Sequence, residues 1–590
     1  NSNYGVFIGD RAASNGIVSG EKNVAVGHYS LFSLTTGAYN TAIGANTLDD
    51  NTTASNNTAI GYAALAANTT GTENSALGST ALDANTTGAY NVAIGYDALG
   101  SNTTANSNTA VGYEAMDTNT TGEYNVAVGK GALDGNTTAN DNTAVGYHAL
   151  LTNSTGVKNT AVGALSLDAS TTSDKNSAFG YSALGANTTG SDNTALGAYS
   201  MLANTTGTYN VAVGQGALES NTTGQYNVAI GVAALQSNTT SNDSIAIGYQ
   251  ALSEGSALTQ QLAIGNKAGK NTTGSDNVFI GHECGTTNST GYANTAIGHR
   301  TFYNSTTGNS NVAIGLGALK ENTTGSNNTA VGKNALNNNT TASQNTAVGV
   351  QAGEDITTGT YCTLIGYQAG KNITTATGNT VVGHNNLQSL VTGNNNTAIG
   401  INVLVSANGG NNNTCMGVGS GYAITTGYSN TLIGINGGMS LTTGNNNTCI
   451  GLNSDVASSS ATNSVTLGDG NITTLRCADT SISSLSDRRD KKNITNLSEG
   501  IDFINKLRPV KFEWDTREGV PAKDGTIRAG FIAQELQEAQ TGSEYLDLVM
   551  DENPDKLEAK QGKLIPVLVK ALQELSAENT ALKQRLDAAG

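Results

Sequence analysis

Four kinds of residue in this 590-residue chain could carry chemistry. The five cysteines, Cys284, Cys362, Cys415, Cys449 and Cys477, are odd in number and far apart, with no C-x-x-C pair or nearby histidine cluster. They suit neither a disulfide framework nor a zinc site, so no metal and no cofactor is expected. The carboxylates of the first 485 residues are scattered without the repeated pair that glycoside hydrolysis needs. Asn-Thr-Thr triplets such as Asn68-Thr69-Thr70 match the glycosylation acceptor pattern, but a turn repeat built from these residues produces that match by itself. The fourth is the charged run Ser486-Asp487-Arg488-Arg489-Asp490-Lys491-Lys492-Asn493-Ile494. By residue type alone this is a solvated turn, with Ser486 as a helix N-cap.

Composition divides the elements that must position these residues. All four prolines and Trp514 lie after residue 485, and residues 486–590 hold 16 of the 28 Lys and Arg and 19 of the 45 Asp and Glu. The remaining 485 residues carry net −14 on sparse charges, a surface that repels phosphate backbones and anionic lipid. No nucleic-acid partner is expected. No run of 18 apolar residues exists, so no membrane insertion by a helix is expected either. The chain starts at Asn1, without Met and inside a repeat, from which we expect a further N-terminal part that attaches it elsewhere.

An apolar residue followed by Gly recurs from Gly9 to Gly468 at 28 positions. All intervals but two are 17 residues; Gly9 to Gly27 is 18 and Gly265 to Gly281 is 16. Ala stands two before the Gly in 20 copies and Asn four before it in 23. Asn210-Val211-Ala212-Val213-Gly214 therefore reads as a short strand with alternating faces and a Gly bend, and Asn221-Thr222-Thr223-Gly224 supplies a turn. Such a unit is too small to bury a face alone but can stack on identical units at about 4.8 Å. The fold expected for residues 1–468 is a mostly β, parallel β-roll or β-solenoid shaft of 28 repeats. Stacking predicts an amide ladder of the Asn residues before each strand. It explains the missing prolines, which would delete ladder donors, and the glycines, which take positive φ at bends. Cys415 and Cys449 occupy the Ala position as small buried filler.

Residues 469–485 form a Ser/Thr-rich transition. Near the end, Ile565, Leu568, Leu572, Leu575, Asn579, Leu582 and Leu586 step by three and four, one apolar seam of a coiled coil over about 565–586. The alternative is an amphipathic helix packed on its own domain.

Two resemblances bear on these segments. The N-[TV]-A-[IV]-G motif of residues 4–468 resembles the head repeats of trimeric autotransporter adhesins, which build a parallel β-roll from three subunits, although those repeats are shorter and no membrane-barrel strands follow here. In residues 486–590, Ser486-Asp487-x-x-x-Lys491-x-x-Ile494 is followed by Leu507-Arg508-Pro509-Val510-Lys511-Phe512-Glu513-Trp514, by Gly530-Phe531-Ile532-Ala533-Gln534-Glu535-Leu536 and by the terminal helix. That order resembles the intramolecular chaperone domain of phage tailspikes and fibres such as endosialidases, a self-cleaving, peptidase S74-like domain. Asp490 departs from it, since an apolar residue is common there.

The second resemblance implies a small α+β domain that trimerises, helps the preceding β-fibre fold, and then cuts itself off before its Ser. It implies scission of Leu485-Ser486, with Ser486 as nucleophile and Lys491 as general base. A lysine near its ordinary pKa of about 10.4 is protonated at neutral pH and needs desolvation or neighbouring cations, for which Arg488, Arg489 and Lys492 stand nearby. The chain would then be a homotrimeric viral tail-fibre shaft, extracellular on the virion, made in the host cytoplasm, and joined to other virion proteins through the further N-terminal part. The only catalysis expected is one autoproteolytic turnover. The alternative function is a host-surface adhesin whose Tyr90, Tyr124, Tyr209 and Tyr226 contact glycans rather than pack coil upon coil. A polysaccharide-degrading tailspike and an ice-binding solenoid with outward Thr rows are further alternatives.

Overall fold

The computed structural model describes all residues except 1–3, 16–17, 257–258, 390, 473, 477–485, 515–524, 552–553 and 556. They group into two compact units, 1–360 and 361–590. In the first unit three-residue strands run from β1 (Val6–Ile8) to β21 (Thr346–Val348), each parallel to the next. The register follows the 17-residue spacing: Val92 pairs with Thr109, Ala93 with Ala110 and Ile94 with Val111. The two irregular intervals keep the strands aligned, with Val6 opposite Val24 and Leu262 opposite Val278. This is the expected parallel β-solenoid.

The middle residue of each strand faces inward, so Ala93, Ala110 and Ala127 are fully buried. The bend after it admits only glycine: at Gly95, with φ 139°, a Cβ would lie 2.1 Å from the carbonyl oxygen of Gly112 in the next coil. Glycine is not the only residue held at positive φ, however. Asp97 (φ 50°), Leu99 (φ 54°) and Ser107 (φ 59°) are left-handed too, and their equivalents recur along the chain. Each such L-residue costs about 1–2 kcal/mol. The conformation persists because it aims the amide at a neighbouring coil: Asp97 N–H donates to Ser79 O, Leu99 N–H to Ala115 O and Ser107 N–H to Ala89 O, at 3.0 to 3.2 Å.

Two rows of buried amides run through the coils. In the expected row before the strands, the backbone N–H and Nδ2 of Asn91 both donate to Asn74 Oδ1, at 3.0 and 3.1 Å, and Nδ2 also donates to Ala105 O at 2.9 Å. The second row comes from the Asn-Thr-Thr turns, where Asn85 Nδ2 donates to Asn68 Oδ1 at 2.9 Å and to Gly88 O at 3.0 Å. Asn68 and Asn85 are fully buried, so in the folded coil these amides serve the turn and are closed to a glycan. The first Thr of the pair is also committed to its neighbour, Thr69 Oγ1 donating to Thr86 O at 3.0 Å.

Core volume is conserved by exchange between positions. Phe279 replaces Ala on β17 (Val278–Ile280) and is fully buried. Gly269 and Gly285 stand where other coils carry leucines such as Leu252, and a Cβ there would meet the Phe279 ring at 2.9 and 2.5 Å.

In the second unit the same parallel stacking runs from β22 (Thr363–Ile365) to β28 (Val465–Leu467). Cys415 and Cys449 face the interior in the Ala position, where burial pushes the Cys415 thiol above its usual range and that of Cys449 up to about 11. Cys477 lies outside the described residues. The C-terminal elements are α1 (Ile501–Ile504), the antiparallel pair β29 (Val510–Phe512) and β30 (Arg528–Gly530), α2 (Ala533–Ala539), the pair β31 (Val549–Met550) and β32 (Glu558–Ala559), and α3 (Ile565–Ala589). Phe503, Leu536, Leu546, Leu548, Val549, Leu564 and Val567 form their core.

Two expectations follow. Phe279→Ala should lower shaft stability by about 3–5 kcal/mol in denaturant unfolding, and adding Gly285→Leu should restore part of the loss, since leucines elsewhere hold the same left-handed conformation. Asp117, half-buried, is pushed up to about 6 by burial and then by Asp97, Asp134, Glu114 and Asp83. The folded state therefore holds this proton more tightly than the unfolded chain, and stability present below pH 4 is lost as pH rises through about 6. Asp117→Asn should raise stability at pH 7 by about 1 kcal/mol after allowance for solvent screening, with no gain at pH 4.

Candidate functional site

The charged run after residue 485 folds as a 3-10 turn, Arg488–Asp490. Its N-cap is Asp487 and not Ser486: the Asp487 carboxylate accepts from Arg489 N–H at 2.8 Å. Lys491 N–H closes the turn on Arg488 O at 3.2 Å. The short turn brings the two ends of the run together, so that Lys491 Nζ donates to Ser486 Oγ at 2.5 Å. Leu485 lies outside the described residues.

Both side chains of this pair are exposed. Of the cations expected to bear on Lys491, Arg489 is taken by Asp487: its Nε is 3.0 Å and its Nη2 2.6 Å from Asp487 Oδ2. That guanidinium holds the Asp487 carboxyl below its usual range. Asp490, the departure from the resembled pattern, is exposed within the turn, and Ile494 is also exposed. Asp487 was missed as a functional residue in the sequence, although its position two before Arg489 suits both roles.

Further along the chain, the two downstream motifs meet. Arg508 of the Leu-Arg-Pro segment forms an ion pair with Glu535 of the Gln-Glu-Leu segment, its Nε at 3.1 Å from Glu535 Oε2. Phe512 and Trp514 pack edge to face at 5.3 Å between ring centres. Glu499 accepts from the hydroxyls of Ser543, Tyr545 and Ser498, which hold its carboxyl down at about 2. Glu574 on α3 accepts the Ile501 amide at the start of α1 at 2.8 Å. Gly500 leaves room for it, since a Cβ there would lie 1.9 Å from Glu574 Oε2. Locally, Glu499 pairs only with Ser498 and Glu574 only with Lys570 four residues before it; the contacts that tie the domain together, to Ser543 and to the Ile501 amide, are 44 and 73 residues away and leave no local signal.

Helix α3 presents two different apolar faces. Val567 packs into the C-terminal core and Ala571, one turn on, is buried beside it in the helix, which is the alternative sequence reading applied to one face. The heptad seam is a separate face and stays uncovered in the chain: Ile565, Leu568, Leu572, Leu575, Leu582 and Leu586 are all exposed, Leu572 at 65% and Leu586 at 70%.

With this geometry in place, the comparison with known families is specific. Residues 486–545 match the chaperone of endosialidase family, peptidase S74. The match begins at Ser486 and spans the Ser-Lys contact, the Arg508–Glu535 pair and Glu499 with its hydroxyls; β31, β32 and α3 lie beyond it. No curated protein and no solved structure matches the chain. The chain thus joins a β-solenoid to a chaperone-of-endosialidase domain. Among the described residues no group of three metal-ligating side chains comes together, and no helix is long and apolar enough to cross a membrane.

The four shaft tyrosines singled out above are all more than half exposed. Tyr209 and Tyr226 stack coil upon coil, 5.2 Å between ring centres and 2° apart, while both remain about half exposed. Tyr90 and Tyr124 are exposed.

Glu574→Ala removes the acceptor that ties α1 to α3. Hydrogen exchange should then show the amides of Ile501–Ile504 exchanging roughly tenfold faster, with α2 unchanged.

Proposed function

We propose that the chain is the shaft of a viral tail fibre that assembles as a homotrimer and carries a C-terminal folding domain, which severs itself from the shaft between Leu485 and Ser486. The finished shaft would stand on the virion, outside the cell, after synthesis in the host cytoplasm. One observation carries the self-cleavage: Lys491 Nζ lies 2.5 Å from Ser486 Oγ, at the residue where the family match begins.

In the proposed reaction a neutral Lys491 amine accepts the Ser486 hydroxyl proton while Oγ attacks the Leu485 carbonyl carbon. The tetrahedral intermediate collapses with cleavage of the Leu485–Ser486 C–N bond, and the departing Ser486 nitrogen takes the proton back. Water then hydrolyses the Leu485–Ser486 ester, freeing the Leu485 carboxylate and restoring the hydroxyl.

A lysine acts as base only where its charged form is disfavoured, and in the single chain Lys491 is exposed and Arg489 is neutralised by Asp487. The missing burial comes, in this reading, from trimer assembly. The uncovered seam of α3 and the exposed Ile494 of the motif are the surfaces that assembly would cover. Cleavage would then follow registration of the fibre, and loss of the chaperone would make the shaft's persistence kinetic.

A second reading, host-surface adhesion, is favoured by the exposed Tyr90 and Tyr124; a glycan array probed with the cleaved shaft discriminates, since a passive spacer binds nothing.

Lys491→Ala and Ser486→Ala should each slow release of the fragment of about 105 residues that starts at Ser486 by at least about 100-fold, read by intact mass, with the oligomer retained. Wild-type release from Lys491→Ala would remove the proposed base.

A further inference from the structure

The strands of the shaft present a face that the single chain leaves open. The residue just before each bend glycine is exposed or half-buried, among them Ile43, Leu77, Ile94, Leu196, Ile230 and Ile314 at 36 to 49%. At all 28 anchors this residue is Ile, Val, Leu, Phe or Met, never polar and never charged. The contrast within the same coil is sharp. Two residues after the glycine, where the side chain also meets solvent, the coils carry Asn46, Asp97, Glu114, His148 and Lys267. A position that merely faces water has no reason to exclude such residues through 28 coils, whereas one that is covered in the working molecule does.

The occupant is set by spacing. The apolar side chains repeat once per coil because the strands that carry them are paired in register, Ile43 beside Ile60 and Ile94 beside Val111. A partner that covers the row over many coils must offer its own apolar groups at the same axial interval, or contacts made at one coil are lost a few coils on. A second copy of this chain has that interval by construction. An α-helix, rising 1.5 Å per residue with a 5.4 Å pitch, drifts out of step with a spacing of about 4.8 Å.

We infer that this row is the surface on which copies of the chain pack against one another along the shaft, parallel and level, so that each residue of the row lies beside its own equivalent. The inference rests on the trimer reading and adds the face to it. A uniform row alone would tolerate slippage by whole coils. The 18- and 16-residue intervals leave the row itself in step, Ile8 beside Val26 and Ile264 beside Ile280, so the contact that selects the level arrangement is the non-repeating α3 seam.

The test uses the full chain with Cys477→Ser and a single pyrene-labelled cysteine, Ile94→Cys on the row or Thr70→Cys in an exposed turn; the native Cys284, Cys362, Cys415 and Cys449 are buried at 0 to 1%. Light scattering gives the oligomeric state. The expected result is a trimer with strong excimer emission from Ile94→Cys and monomer emission from Thr70→Cys. A trimer in which Ile94→Cys shows no excimer overturns the assignment of the face and leaves the trimer reading standing. A monomer overturns both. Leu196→Cys, in another coil, repeats the measurement should Ile94→Cys fail to fold, and excimer from Thr70→Cys as strong as from the row also overturns the inference.

Discussion

The constraint on which everything else depends is that no coil of the solenoid can satisfy its own polar groups. The N–H groups of Asn91 donate to Asn74 and Ala105, its Oδ1 accepts from Asn108 N–H, and the left-handed Asp97, Leu99 and Ser107 spend their N–H groups on neighbouring coils. Leaving a buried amide unpaired costs about 1–3 kcal/mol, so a coil is favourable only when the coils above and below are formed. Stability of this kind is a sum of nearest-neighbour terms. It rewards long uninterrupted stacks, and it makes the first correct stacking the slow step, because each pairing closes a loop before it returns any energy.

Much of this was legible in the sequence. The glycine period marks the bends, the alternation of Val-Ala-Ile gives the strand and its buried face, and the Asn four residues before 23 of the 28 glycines lies where stacking predicts a ladder. The second row of amides, Asn68 and Asn85 among them, was read only as turn chemistry, since Asn-Thr-Thr is also an ordinary surface turn and nothing local distinguishes a buried one. The left-handed leucines were not legible. Leu99 has no intrinsic preference for that conformation; its φ follows from the position of Ala115, a coil away. Similarly, Gly285 looks like another bend until Phe279 is seen to occupy its missing side chain.

The C-terminal site shows the same division. The type and spacing of Ser486 and Lys491 pointed to their contact through a family resemblance, and the intervening 3-10 turn accounts for it. The cap assigned to Ser486 belongs to Asp487, whose carboxylate also takes Arg489 away from the lysine. Helix α3 could not be apportioned from its heptads alone, because Val567 and Ala571 pack inward while the seam points elsewhere. The tie from Glu574 to α1 was not legible because the Ile501 amide is 73 residues earlier in the chain, whereas its pairing with Lys570 is an ordinary helix contact four residues away.

Under the proposed function these observations join in one physical account, in which the solenoid would have its copies set in step and the domain that sets them would act on its own peptide bond only once neighbouring copies cover its lysine. The concentration dependence of cleavage tests that account most directly. In cell-free synthesis of the full chain, diluted stepwise after translation is stopped, the initial rate of forming the fragment that begins at Ser486 should fall more steeply than in proportion to chain concentration. A first-order release whose rate constant is the same at every dilution, with the chain monomeric throughout, would contradict it.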